Sequence, residues 1–216
     1  MKRFVLFLLV LGVGVSLFAQ VQLPEYHFAS GSWSLVGDRL YQTDAGARLA
    51  KVNIRVPQSG PMIYEFNVRY EGGAEDGHGG FGLHIFTDNV INSASWGSGV
   101  SYLLWLNYDE HPITKGIPAG FSAQVYRSYT NSRMDLVESV DLNQYAYLLT
   151  PENLSQPVPF RIWVDGNTGE VRIYDPTDPD DGFYFYYFID SKDLPLKGNW
   201  ISLRTNGIKL SFGLGL

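Results

Sequence analysis

A chain of 216 residues with 22 Asp+Glu against 16 Lys+Arg, net charge −6 and no basic run, is a poor match for nucleic acid or an anionic membrane surface. Without cysteine it can carry no disulfide framework, thiolate zinc site, iron–sulfur cluster, cysteine nucleophile or lipid-bearing cysteine. An aromatic content of 15%, with 23 glycines, 11 prolines and only 18% charged residues, suits a β-rich protein with tight turns rather than a coiled coil or a disordered chain.

The first element is a leader. Lys2 and Arg3 precede an apolar run from Phe4 to Val15, and Ala19 offers a small residue for cleavage, so residues 1–19 read as an export signal. The run is shorter than the roughly 20 residues of a spanning helix, and Gln20 and Gln22 follow directly. Cleavage leaves residues 20–216 with net charge −8, because Lys2 and Arg3 leave with the signal. No later segment is long and apolar enough to span a membrane as a helix. The expected product is exported, periplasmic or extracellular.

Period-two alternation then recurs along the chain. Met62, Tyr64, Phe66, Val68 and Tyr70 alternate with Ile63, Glu65, Asn67 and Arg69, predicting a strand with one buried face. Further strands are expected over Phe81 to Thr87, Val100 to Tyr108, Gly120 to Tyr129 and Met134 to Leu142. The run Leu103-Leu104-Trp105-Leu106 is too apolar for a half-exposed strand and predicts cover on both faces. The one helix-like stretch, Leu142 to Leu149, stops before Pro151. Phe160 to Asp165 and Glu170 to Tyr174 pair across Gly166-Asn167-Thr168-Gly169, a turn that tolerates positive φ. Phe183 to Ile189, Trp200 to Arg204 and Ile208 to Leu216 complete the set. Strands joined by turns, with no linker or repeat, predict one all-β domain over residues 20–216.

Three landmarks in order resemble the concanavalin A-like lectin/glucanase superfamily, with its laminin-G-like branch. They are Trp33-Ser34-Leu35-Val36-Gly37-Asp38-Arg39-Leu40, the hairpin around Phe160-Arg161-Ile162-Trp163-Val164-Asp165-Gly166, and the closing pair Gly198-Asn199-Trp200-Ile201-Ser202-Leu203 with Gly207-Ile208-Lys209-Leu210-Ser211-Phe212. The resemblance implies a two-sheet antiparallel jelly-roll sandwich. It also implies, for the family's glucanases, an E-x-D-x-x-E strand that presents paired carboxylates on one face. No strand here has it. Glu138 and Asp141 are three apart, Glu65 has no alternating acid, and Asp109-Glu110-His111 reads as a solvated strand end. No serine lies in a G-x-S-x-G elbow, and His27, His78, His84 and His111 are scattered. No catalytic residue is assigned.

Two strings remain as site candidates. Asp175-Pro176-Thr177-Asp178-Pro179-Asp180-Asp181-Gly182 reads first as an acidic connection between strands; Asp175, Asp178, Asp180 and Asp181 would be the ligands if it wraps a calcium ion, and no other cofactor is expected. In the following run, Phe183, Phe185 and Tyr187 share one face and Tyr184, Tyr186 and Phe188 the other. One face enters the core, while the second is either covered or an aromatic surface. Tyr184, Tyr186 and the loop residue Trp96 are the ligand-binding candidates, and Trp33, Trp105, Trp163 and Trp200 are expected in the core. The leading reading is an exported, non-catalytic binding or structural module of the bacterial envelope, with a glycan or an envelope protein as partner. The alternatives are an accessory of a periplasmic or surface filament or sheath, a small outer-membrane β-barrel suggested by Ile208, Leu210, Phe212, Leu214 and Leu216, and a glycoside hydrolase.

Overall fold

The computed structural model describes residues 25–175 and 178–214, so the leader and the expected cut after Ala19 lie outside the described residues. The chain forms two seven-stranded antiparallel sheets. Sheet A is built from β1 (Tyr26–Ser30), β4 (Ala50–Ser59), β13 (Lys197–Asn206), β6 (His78–Thr87), β7 (Ser101–Asp109), β8 (Gly120–Ser128) and β9 (Met134–Asp141), side by side in that order. Sheet B runs β12 (Asp178–Phe188), β11 (Glu170–Asp175), β10 (Val158–Asp165), β5 (Pro61–Gly73), β14 (Ile208–Leu214), β3 (Arg39–Gln42) and β2 (Trp33–Val36). This is the two-sheet jelly-roll sandwich that the resemblance implied. Among the described residues each sheet ends in edge strands without a further partner, β1 and β9 in one and β12 and β2 in the other, so the two sheets do not close into a barrel. Of the C-terminal alternation that suggested a barrel, Ile208 to Leu214 form β14, which lies between β5 and β3 and buries Leu210 and Phe212 in the sandwich, and Leu216 lies outside the described residues.

One hydrophobic cluster fills the space between the sheets. Sheet A contributes Val52, Leu83, Ile85, Leu104 and Val125; sheet B contributes Val68, Ile162, Val164, Val171 and Phe212. β7, β10 and β11 follow the period-two rule, while β6 departs from it at Ile85 and Phe86, both in the core, where Phe86 takes a positive φ of 53°. Phe81 of sheet A meets Phe160 and Phe212 of sheet B edge-on at 5.2 and 5.9 Å, and Phe66 stacks on Phe160 at 5.6 Å. Such a cross-layer aromatic contact ties the two sheets together beyond its buried area.

Several local expectations meet a different outcome. β4 and β1 were not foreseen, although Val52, Ile54 and Val56 alternate with Lys51, Asn53 and Arg55. Asn143–Leu148 is a 3-10 turn, and Pro151 opens a single α-helical turn, Pro151–Leu154, rather than barring one. A proline is well suited to the first helical position, where its missing N–H has no intrahelical partner to lose. The acidic string is also less of a loop than expected. Asp175 pairs with Asp178, and β12 includes Asp178 to Asp181.

Candidate functional site

The outward face of sheet A carries a cleft of about 200 Å³. Strand alternation assembles its floor. On β7 the residues Tyr102, Leu104 and Leu106 face the core, so Leu103, Trp105, Asn107 and Asp109 face out. On β8 the same rule turns Gln124 and Tyr126 outward, and on β13 Arg204 and Asn206. Register sets these side by side, since Arg204 lies opposite Gly82, Gly82 opposite Trp105, and Trp105 opposite Gln124. Gly80 and Gly82 have no side chains, and that absence gives the Trp105 ring its place over β6. A Cβ at Gly80 would lie 2.7 Å from the indole, and one at Gly82 2.9 Å from it.

Two connecting segments form the walls. The loop from Asp88 to Val100 folds back over the sheet and is tied down at both ends of its tip. Gly97 N donates to Asn131 O at 3.0 Å, Ser98 N to Ser128 Oγ at 3.0 Å, and the Ser98 and Ser202 hydroxyls share a 2.9 Å hydrogen bond. Trp96 sits on this tip, 46% exposed, edge-on to Tyr126 with ring centroids 6.4 Å apart. Opposite stands the segment that contributes Pro112, Ile113, Thr114 and Ile117, with Ile113 fully exposed.

The polar groups are held in place from behind. Trp105 Nε1 donates to Asn107 Oδ1 at 3.1 Å, Tyr126 OH to Gln124 Oε1 at 2.7 Å, and Gln124 Nε2 to Ser122 Oγ at 2.9 Å. The Arg204 guanidinium lies 5.0 Å from the Trp96 ring and 6.0 Å from Trp105, and donates from Nη1 to the Trp96 carbonyl. Burial lowers its pKa to about 10, which leaves it charged at neutral pH. Among the described residues Asp109 is the one carboxylate lining the cleft, with His78 Nε2 at 3.9 Å.

Beneath the Trp96 loop, Lys51 is 1% exposed. Its Nζ donates to Ser95 Oγ at 2.6 Å, Gly97 O at 2.6 Å and Ser95 O at 3.2 Å. Burial, and then the Arg204 charge, pull its pKa down to about 7. His84, fully buried beside it, binds Ser101 Oγ through Nδ1 at 3.0 Å. Burial, followed by the charges of Arg204 and Lys51, lowers its pKa well below the usual range and keeps the ring neutral.

The candidates from the sequence do not gather in one place. Trp96 lines the cleft on sheet A, whereas Tyr186 stands on the outer face of sheet B, 45% exposed, at 5.1 Å from the Phe188 ring. Phe185 enters the core and Tyr187 packs partly against it, as alternation required. The side chains of Tyr184, Asp178, Asp180 and Asp181 lie outside the described residues; among those described, no three metal-binding side chains come together. Of the four tryptophans expected in the core, Trp33 packs against it. Trp105 belongs to a separate cluster with Leu103 and Met134 on the cleft side, which supplies the second cover predicted for its strand. Trp163 lies on the outer face of sheet B under Arg172, at 5.0 Å, and Trp200 sits beside His27, at 4.9 Å. Sequence reasoning missed Trp105, Asn107, Gln124, Tyr126 and Arg204. Polar residues at alternate positions after Trp105 were the available sign that one end of β7 opens to solvent.

No family model and no curated protein matches the chain. Solved structures do. A protein of unknown function with a galectin-like fold from Bacillus subtilis superposes with a TM-score of 0.55 at 13% identity, covering 88% of this chain and 87% of that one. The VIP36 exoplasmic/lumenal domain, in its metal-free form, gives 0.55 at 14% identity over 90% and 85%. A legume lectin-like domain from Entamoeba histolytica gives 0.54 at 10% identity over 89% and 86%. At these identities the likeness is one of fold. The sandwich is a concanavalin A-like jelly roll.

Proposed function

We propose that the protein is an exported, non-catalytic glycan-binding module, and that its site is the cleft on sheet A. The observation that carries this reading is the composition of the cleft. A half-exposed Trp96 ring stands over a floor of planar polar groups, Asn107, Gln124, Arg204 and Asn206, with Trp105 and Tyr126 between them. A sugar ring has one apolar face and a rim of hydroxyls. An aromatic plane suits the first, and amide or guanidinium groups fixed by hydrogen bonds suit the second. The lectin-like folds of the structural neighbours support the same class of ligand. Glycosidic cleavage in most such enzymes calls on two facing carboxylates, and one lines this cleft. Export rests on the Lys2-Arg3 leader, and no helix among the described residues is long and apolar enough to cross a membrane.

A second reading, attachment to an envelope assembly, draws on Ile63, Tyr186 and Phe188, which are exposed on the outer face of sheet B. An oligosaccharide array separates the two. The wild-type protein should be retained on at least one glycan, and Trp96→Ala should weaken that retention about tenfold or more, because the half-exposed ring is lost without a core cavity. Failure of the wild type on every glycan would remove the glycan reading and leave the assembly reading.

A further inference from the structure

We infer that the glycan held in the cleft is anionic, its carboxylate or sulfate ester set against the Arg204 guanidinium. This deepens the glycan reading and rests on it. The chain has more acids than bases, 22 against 16, so carboxylate partners are plentiful. Its outlying cations use them, with Arg69 on Glu71, Arg127 on Asp193, Arg161 on Glu65 and Arg172 on Glu170. The two most deeply buried cations do not. Arg204, 3% exposed, and Lys51, directly opposite it on β4, have no carboxylate within ion-pair distance among the described residues.

Burying a cation without a counter-charge costs several kcal/mol even after relaxation. Two carbonyl oxygens and the Ser95 hydroxyl satisfy Lys51 completely, through three hydrogen bonds. Arg204 is not satisfied in this way. A guanidinium has five N–H donors, and the protein takes one hydrogen bond from it, at Nη1. The flanking Trp96 and Trp105 rings offer π faces but no acceptor atoms. Nε and Nη2 are thus left for whatever enters the cleft that Arg204 lines. A planar fork of charged donors between aromatic rings matches a carboxylate or sulfate carried on a sugar.

The carboxylate lining the cleft fixes the ligand's direction. Asp109 and His78 lie at the far end, four residues along β7 from Trp105, or roughly 13 Å at strand rise. The anionic group therefore belongs at the Trp96 end, with neutral hydroxyls toward Asn107 and Asp109.

The test uses matched glycans that differ in charge alone: polygalacturonate with its methyl ester, and a sulfated galactan with its desulfated form. Wild-type protein should bind the charged member of at least one pair about tenfold more tightly, a difference of ~1.4 kcal/mol. The pair that responds identifies carboxylate or sulfate. Arg204→Met should erase the preference, weakening the charged member more than the neutral one, and Asp109→Asn should strengthen binding of the charged member. If Arg204→Met does not fold, the wild-type comparison still decides. Equal or better binding of the neutral members, lost in Trp96→Ala, would overturn this inference and leave the glycan reading standing. A charge preference that survives in Arg204→Met would place the attraction elsewhere and overturn it as well. No binding to any member would defeat both.

Discussion

Lys51 shows how a single residue ties loop geometry to solvent conditions. Its folded pKa of about 7 lies below the 10.5 of an ordinary lysine. Between these values the unfolded chain binds a proton that the folded chain has shed, so stability climbs as pH rises through that window, by up to ~1.4 kcal/mol per pH unit. Below pH 7 both states are protonated and the burial cost is present in full. His84 acts in the same direction at lower pH. Its ring stays neutral when folded, whereas the unfolded chain takes a proton below the usual 6.5, so acid removes stability. Urea denaturation of wild type and Lys51→Met at pH 6, 8 and 10 should show the wild type gaining on the variant as pH rises. A difference that stays flat would mean that Lys51 keeps its proton in the folded state. None of this was legible in the sequence. Lys51 lies on β4, a strand not foreseen there, and the Trp96 loop, arriving from 44 residues away, closes over it.

Strands were legible where their alternation was uninterrupted, and β5, β10 and β11 lie where their patterns put them. β4 was overlooked because polar Lys51, Asn53 and Arg55 and the strand residue Pro57 broke its apolar run, although period two was present throughout. β6 is the element on which the cleft depends most. The expected strand began at Phe81, yet β6 begins at His78, so Gly80 joins Gly82 within the strand, beneath Trp105. A Cβ at Gly82 would fall 2.2 Å from the Leu104 carbonyl oxygen and 2.9 Å from the indole. Gly82→Ala should therefore cost about 1–3 kcal/mol as the strands and ring shift to make room. Chemical denaturation measures the loss, and near-UV circular dichroism should change with it. Unchanged stability and spectrum would show that Trp105 does not rest on β6. On the far edge, Tyr186→Ser with Phe188→Ser removes exposed rings and should change stability by less than ~1 kcal/mol.

At the scale of the whole molecule, the sandwich separates two aromatic surfaces that the sequence could not separate. Trp96 and Arg204 share the cleft on sheet A, while Trp163, Arg172 and Tyr186 form a row across the outer face of sheet B. Alternation gives each residue a face, but which strands lie together depends on pairings such as β13 with β6, across more than a hundred residues of chain. That pairing brings Arg204 to Gly82 and so creates the site. The central claim is that ligand enters on sheet A, and the five tryptophans report on it separately. The measurement is a nitrogen–proton correlation spectrum of the indole Nε1 groups, recorded while the best-retained oligosaccharide from the array is titrated in. The Trp96 and Trp105 signals should move in a saturable, concentration-dependent way while those of Trp33, Trp163 and Trp200 hold still. Movement of Trp163 with Trp96 and Trp105 unchanged would place binding on sheet B and contradict the account.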